Sequence, residues 1–421
     1  WTIPNPTPPD FRLAGFCFGS AIYGDNGSMN ASDFQFKLNQ AIDRLAPPTH
    51  DSLKWGKYSG QDVLPMWVAD MDFAAPPEVL SALRQRIDHG VLGYPRVTTD
   101  VVDAVLLHLS RDLGWVVDPD WLVWLPGLVT GLNVACRAVG ESGDSVLTAV
   151  PIYPPFMSAP RLSERRLQTF ELRQNSGHLS WDWDMDAMLA ASDASTRLLM
   201  LCNPHNPVGR VWRPDELQAI AEQAEKQDWV ICSDDIHCEL VLAKGVRYTP
   251  LATLSPEIAR RTITLFAPSK TYNIPGLGAS FAVIPDAGLR RRFERVMAGI
   301  VPHINVLGYT AMTAAYTYGA PWRNAVQAYL RENRDLLVSA INGLPGLRVY
   351  EPEATYLAWI NASEIQRPEG MSAARLFEQA GVGLSPGEDF LPGGTDFVRL
   401  NFGCTRATLE NAIDRMAAIC R

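Results

Sequence analysis

Between Asp120 and Ile284 the chain repeats one alternation, and that alternation leaves few folds open. Seven short apolar, β-rich runs stand at Trp121–Leu125, Ser145–Val150, Leu167–Leu172, Arg197–Cys202, Trp229–Ser233, Thr262–Phe266 and Ala279–Ile284. Longer segments separate them, with amphipathic helix patterns at Leu128–Val139, Pro214–Gln227 and Gly288–Ala298. Runs that are apolar almost end to end read as strands covered on both faces. Strand–helix alternation gathers such strands into a mostly parallel sheet with helices on either side, an α/β architecture. Ligands on these sheets bind beyond the carboxyl ends of the strands. The chemistry is therefore expected directly after each run.

Past about residue 300 the texture changes. Helical stretches at Leu307–Tyr318 and Ala325–Gly343 lead into short strands at Leu347–Tyr350, Tyr356–Ile360 and Phe397–Asn401, then a closing helix at Arg406–Cys420. That pattern predicts a second, smaller α+β domain. The expected division is an N-terminal extension or linker over 1–33, an N-terminal part of the small domain over 34–80, a large domain over 81–305 and a C-terminal small domain over 306–421. Residues 1–28 place four prolines in the first nine positions and run into a Gly/Ser/Asn-rich stretch, Gly19–Asn30. They lack the basic start and sustained apolar segment of a secretory signal. They read as an extension, or as a linker from a larger multidomain chain, with Met29 as an alternative start.

Composition narrows the class further. With 421 residues, 47% hydrophobic and 20% charged, the chain can bury a large core without disulfide or metal staples. A net charge of −9 argues against a nucleic-acid surface, which carries a basic stripe. No apolar stretch approaches the length of a membrane span. The seven cysteines include no CxxC pair, and most lie inside apolar runs, so they read as small buried hydrophobes in a reducing, cytoplasmic setting. Cys232, His237 and Cys238 lack the second ligand pair of a structural zinc site, and no metal is expected.

The loops after the strands carry the candidates. No GxGxxG follows the first strand, Gly276-Leu277-Gly278 lacks the third glycine, and there is no GxxxxGK[ST], so dinucleotide and P-loop sites are not expected. No Gly-x-Ser-x-Gly elbow is present. The first run ends in Pro126-Gly127-Leu128-Val129-Thr130 with a helix starting at once, a natural seat for a phosphate or an ordinary turn. The fourth ends in Asn203-Pro204-His205-Asn206-Pro207-Val208-Gly209, a loop restricted by its prolines, from which one asparagine amide can project. The fifth ends in Asp234-Asp235-Ile236-His237. An acid beyond a buried strand either caps the next element or faces something positive. The sixth ends in Ala267-Pro268-Ser269-Lys270-Thr271-Tyr272-Asn273. A lysine placed there is a surface residue or an activated amine able to form a Schiff base with a carbonyl.

Taken together, phosphate seat, amide, acid and amine at successive strand ends resemble the fold-type I pyridoxal phosphate enzymes of the aspartate aminotransferase superfamily. Within these the chain is most similar to the MalY/PatB group of cystathionine β-lyase-type C–S lyases. The stretches that carry the likeness include Leu64–Phe73, Gly93-Tyr94-Pro95, Pro126–Thr130, Tyr153–Phe156, Asn203–Gly209, Ser233–His237, Ser269–Leu277 and Phe397–Gly403. The resemblance spans about residues 34–421. It implies pyridoxal 5'-phosphate held by Lys270, which also serves as the base at the substrate's α-carbon. It implies Asp234 against the ring nitrogen, Asn206 and His237 near the ring's phenolic oxygen, and Tyr153 on the ring face. The amides of Gly127, Leu128 and Val129 and the Ser269 hydroxyl would hold the phosphate. Tyr94 would reach the phosphate of the neighbouring subunit of a homodimer. Arg399 would fork onto the substrate α-carboxylate, with Ala69 beside it through its backbone.

Two positions depart from the wider pattern. Many transaminases carry an arginine eight residues after the lysine, where this chain has Gly278, and the lyase group usually has Glu where this chain has Asp235. The resemblance therefore implies a C–S β-lyase acting on cysteine S-conjugates and giving pyruvate and ammonia. An aminotransferase is the alternative, a repurposed decarboxylating relative comes third, and a non-catalytic regulatory domain is disfavoured because Lys270 and Asp234 are both present.

Overall fold

The computed structural model describes residues 51–175 and 180–420. The extension assigned to 1–33, Met29, Cys17 and the first part of the 34–80 stretch lie outside the described residues.

All seven apolar runs are strands: β1 (Leu122–Leu125), β2 (Ser145–Val150), β3 (Arg166–Glu171), β4 (Thr196–Cys202), β5 (Val230–Asp234), β6 (Thr262–Phe266) and β7 (Ser280–Val283). They form one sheet in the order β1-β7-β6-β5-β4-β2-β3. The sheet is mostly parallel; β7 alone is reversed, pairing antiparallel with both β1 and β6. Neighbouring side chains of a strand point to opposite faces, and both faces are covered here. Leu198, Met200 and Cys202 of β4 enter one apolar core, and Leu199 and Leu201 enter another. The expectation of burial on both faces fails at β3. Only its Phe170 is buried, while Arg166 and Glu171 are exposed, because β3 is an edge strand whose charges discourage further strand addition.

The helices follow from their spacing. Leu128, Leu132, Ala135 and Cys136 fall on one face of Leu128–Ala138, and that face is buried. Pro214–Lys226 opens with proline in its first turn, has the Glu216 carboxylate accepting from the Arg213 amide at 2.7 Å, and buries Leu217, Ile220, Ala221 and Ala224. The long helix expected from Ala325 begins at Ala320, because Pro321 is tolerated in a first turn where its missing N–H has no intrahelical partner.

A second, antiparallel sheet is built from β8 (Arg348–Val349), β9 (Leu357–Asn361), β10 (Ser385–Pro386) and β11 (Phe397–Asn401), in the order β8-β9-β11-β10. Leu64–Pro65 pairs in parallel with Val382–Gly383 beside it. Helix Val306–Tyr318 packs on Pro77–Asp88 and Thr99–Leu113. The six described cysteines are all free and buried. Among the described residues no helix is long and apolar enough to cross a membrane.

Candidate active site

Strands β1, β4, β5 and β6 end at one edge of the large sheet, and the reversed β7 begins there. A cavity of about 430 Å³ opens at that edge. Eleven of the twelve expected site residues line it: Ala69, Gly127, Leu128, Val129, Tyr153, Asn206, Asp234, His237, Ser269, Lys270 and Arg399. The residues read from the strand ends are thus gathered at one cavity. Tyr94 does not join them and stands fully exposed.

On one side the cavity is bounded by the start of helix Leu128–Ala138. No side chain caps this helix, so the amides of its first turn are left for an anion. Gly278 closes against the same loop. Its φ is +56°, and a Cβ there would lie 2.9 Å from the Pro126 carbonyl oxygen. The position that carries an arginine in many transaminases thus has no room here for a side chain of any kind.

Register explains the acid and the amide. Asp234, the last residue of β5, is paired with Cys202 of β4 and Leu265 of β6, and so sits in mid-sheet. Of the two asparagines after β4, Asn203 is spent on structure, accepting from the Trp212 amide at 3.2 Å and donating to the Thr249 carbonyl at 3.4 Å. Asn206 is the one that faces the cavity. The loop reverses at Gly209, where φ is +73° and a Cβ would meet Pro352 at 2.6 Å.

Burial sets the charges. It pushes the Asp234 carboxyl up to about 7, against the opposing pull of the Ile236 amide and Lys270. It brings the Lys270 amine down to about 8, helped by Arg399 and opposed by Asp70 and Asp234. His237 is held well below the usual imidazole range, first by burial and then by Lys270 and Arg399, so its ring is neutral, and its buried Nδ1 has no protein partner. Asp235 is buried outside the cavity, where it accepts from Ser233 Oγ at 2.5 Å and from the Tyr248 hydroxyl.

Arg399 on β11 is buried and held flat. Nη1 donates to Asn206 Oδ1 at 3.2 Å, Nη2 donates to the Trp67 carbonyl at 2.7 Å and to Ser385 Oγ at 3.2 Å, and the guanidinium lies 4.6 Å from the Phe390 ring centre. Nε is buried without a partner, a donor available to a carboxylate. Lysine cannot reproduce a planar fork with these contacts. Arg399→Lys is expected to raise KM for an amino-acid substrate by about 10- to 100-fold with a smaller change in kcat, measured by steady-state kinetics. An unchanged KM removes Arg399 from carboxylate binding.

Several site residues were not anticipated. The stretch Trp67–Phe73 forms no helix or strand, yet side chains of Arg399, Ser385, Asn401, Lys270, Tyr356 and Asn273 hold its backbone. Ala69, expected beside the substrate carboxylate through its backbone, has its carbonyl occupied by Lys270 Nζ at 2.6 Å and by the Tyr356 hydroxyl at 2.8 Å. A second tie steadies the lysine loop. Tyr272 donates to Glu239 at 3.2 Å, and Glu239 accepts from Arg323 Nη1 at 2.5 Å.

Such a sheet order, with lysine, acid and arginine at one edge, defines a fold-type I enzyme of the aspartate aminotransferase superfamily. The chain belongs to the aminotransferase class I and II family, whose profile matches residues 61–416. It is similar to the cystathionine β-lyase PatB of Bacillus subtilis, 36% identical over 373 residues that cover 87% of this chain and 96% of that protein. Among solved structures, OvoB is 45% identical with a TM-score of 0.86, covering 90% of this chain and 98% of its own. Cystalysin from Treponema denticola, solved with pyridoxal 5'-phosphate, is 29% identical with a TM-score of 0.83, covering 89% and 97%. The likeness to the MalY/PatB group read from the motifs is borne out.

Proposed function

We propose that the protein is a pyridoxal 5'-phosphate-dependent C–S β-lyase acting on cysteine S-conjugates. With water, such a substrate gives a thiol, pyruvate and ammonia. The observation that carries this reading is the convergence of Lys270, Asp234 and Arg399 on one cavity beside an uncapped helix start. The relatives named cystathionine β-lyase support the lyase over an aminotransferase.

The residues fit the cofactor. The first-turn amides at Gly127–Val129 and the Ser269 hydroxyl suit a phosphate, the orphaned Nδ1 of His237 and the Asn206 amide suit a phenolic oxygen, and Tyr153 suits the ring face. Asp234 suits a protonated ring nitrogen, since a buried acid is held ionised by an opposite charge. When bound, the cofactor supplies the electron sink that makes the α-proton removable. Arg399 orients the substrate by its α-carboxylate. Lys270 Nζ, brought down to about 8 by burial and so more readily deprotonated than an ordinary lysine, takes the proton from Cα, and the sulfur leaves from Cβ.

The decisive assay supplies purified enzyme with cystathionine, S-alkyl cysteine or cysteine and follows pyruvate with no keto acid added. Amino transfer on addition of a keto acid, with no pyruvate from any thioether, overturns the lyase in favour of an aminotransferase.

We further propose a homodimer in which Tyr94, exposed on the single chain, reaches the partner's phosphate, working in a reducing cytoplasm that suits the free cysteines among the described residues. Tyr94→Phe is expected to weaken cofactor binding about tenfold in a dimer of unchanged mass, read by cofactor titration and light scattering. A monomeric holoenzyme defeats this proposal.

A further inference from the structure

We infer that Tyr356 is a positioning residue for Lys270, acting through the carbonyl of Ala69. The kinetic consequence rests on the lyase reading above; the effect on the amine itself does not.

The Trp67–Phe73 stretch has no ladder to hold it, so its carbonyls are fixed by side chains. Asn401 Nδ2 donates to the carbonyls of Val68 at 2.5 Å and Asp70 at 2.6 Å. Asn273 Nδ2 donates to those of Met71 at 2.8 Å and Phe73 at 2.7 Å, while its Oδ1 accepts from the Met71 amide at 2.9 Å. Ala69 lies in the middle of this anchored run. Its oxygen therefore cannot shift to suit the lysine, and the lysine must suit it.

That oxygen accepts from Lys270 Nζ and from the Tyr356 hydroxyl together, which fills both of its lone-pair positions. Tyr356 is wholly buried and does not line the cavity; its ring packs edge-on against His237 with centroids 6.1 Å apart, and its hydroxyl reaches Lys270 through this shared acceptor. Burial keeps the phenol neutral and donating at any working pH. Two donors on one oxygen compete, and a charged ammonium gains more from an uncontested carbonyl than a neutral amine does. Tyr356 thus withholds part of the stabilisation that the carbonyl would give protonated Lys270, and favours the free base. The other charged groups acting on Lys270 are Arg399, which works in the same sense, and Asp70 and Asp234, which oppose it.

The test uses the full chain freed of cofactor by dialysis against hydroxylamine. The pH dependence of Lys270 acetylation by acetic anhydride is followed by mass spectrometry of the Lys270 peptide. Tyr356→Phe is expected to move the midpoint upward by about half to one pH unit. Asp70→Asn, which removes an anion in place of a donor, is expected to move it downward. Should Tyr356→Phe fail to fold, a 3-fluorotyrosine at position 356, a stronger donor of the same shape, is expected to move it downward as well. In the holoenzyme, Tyr356→Phe is expected to lower kcat at neutral pH roughly three- to tenfold and to shift the acid limb of its pH profile upward, with KM within about twofold of the parent. A midpoint that stays in place in the hydroxyl variants overturns the assignment, whatever happens to kcat. If no thioether yields pyruvate, the lyase reading fails and the labelling result still decides the role of Tyr356.

Discussion

Replacing Lys270 with alanine is expected to lower kcat/KM for thiol release by at least about 10⁴-fold while leaving the fold intact. A positioned base alone is worth roughly 10²- to 10⁴-fold, and Lys270 is also the cofactor's covalent anchor in the proposed enzyme. The fold should not suffer, because the native protein gains little from a charged amine in that position. Burial takes the Lys270 amine down to about 8, from an unfolded value near 10.5. Between these values the native chain binds fewer protons than the unfolded chain, so stability from this group rises with pH across that window and is lowest below it. At pH 7 the parent therefore carries an unfavourably buried charge that the variant lacks. Thermal melting of the cofactor-free proteins should show Lys270→Ala no less stable than the parent at pH 7. Small primary amines added to the variant should restore part of the pyruvate release, which separates a missing base from a damaged site. Full activity in Lys270→Ala, or loss of activity together with a collapsed melting curve, counts against the assigned role.

Legibility in the sequence differed sharply between kinds of residue. Strands β2 and β6 were readable to the residue because every position in them is buried, so apolar content had no competing demand. Edge strand β3 was readable as a strand but not in its burial, since its charges serve the open edge of the sheet. The two-residue β10 carries no pattern that periodicity can detect. Polar residues that end or follow a core strand, Asp234 and Lys270 among them, stood out by polarity where apolar sequence should continue. Tyr356 could not. It stands at the mouth of β9 like any strand aromatic, and its partner Ala69 is 287 positions away in the chain. Asn401 likewise reaches Val68 across 333 positions, and a hydrogen bond of that range has no local signature. Sequence reasoning therefore found groups that line the cavity and missed those that hold them in place. Gly278 is an intermediate case. The absence of an arginine was visible, but its steric cause appeared only when β7 was seen to run backward against Pro126.

Asp234→Asn should separate the two demands made on the buried carboxylate. The substitution keeps the shape and the acceptor facing the Ile236 amide, now 3.2 Å from Oδ1, and removes only the charge. A neutral amide cannot hold a ring nitrogen in its protonated form. The electron sink then weakens, and kcat is expected to fall roughly 10²- to 10³-fold, the cost of losing one preorganised electrostatic partner at a reacting centre. Stability of the cofactor-free chain should move the other way. Burial raises the Asp234 carboxyl to about 7, so between the ordinary carboxylate value and 7 the native chain holds a proton that the unfolded chain has released. Stability from this group is full at acid pH and is lost as pH rises through that window. Asp235, raised to about 8 by burial and further by Asp234, adds a loss of the same sign at slightly higher pH. His237, held below its unfolded value of about 6.5, contributes the opposite sign below that pH, so the cofactor-free parent should lose melting temperature chiefly from about pH 6.5 to about pH 8, and Asp234→Asn should show a shallower decline there, because it removes one titrating acid and relieves the repulsion on the other. With cofactor added, the ranking should invert, since only the parent offers a charge to the ring and gains the binding energy in its native state. Equal melting profiles for parent and variant without cofactor would mean that Asp234 already finds its counter-charge within the protein. A variant that is unaffected by the change and retains parental kcat would remove the carboxylate from the chemistry altogether.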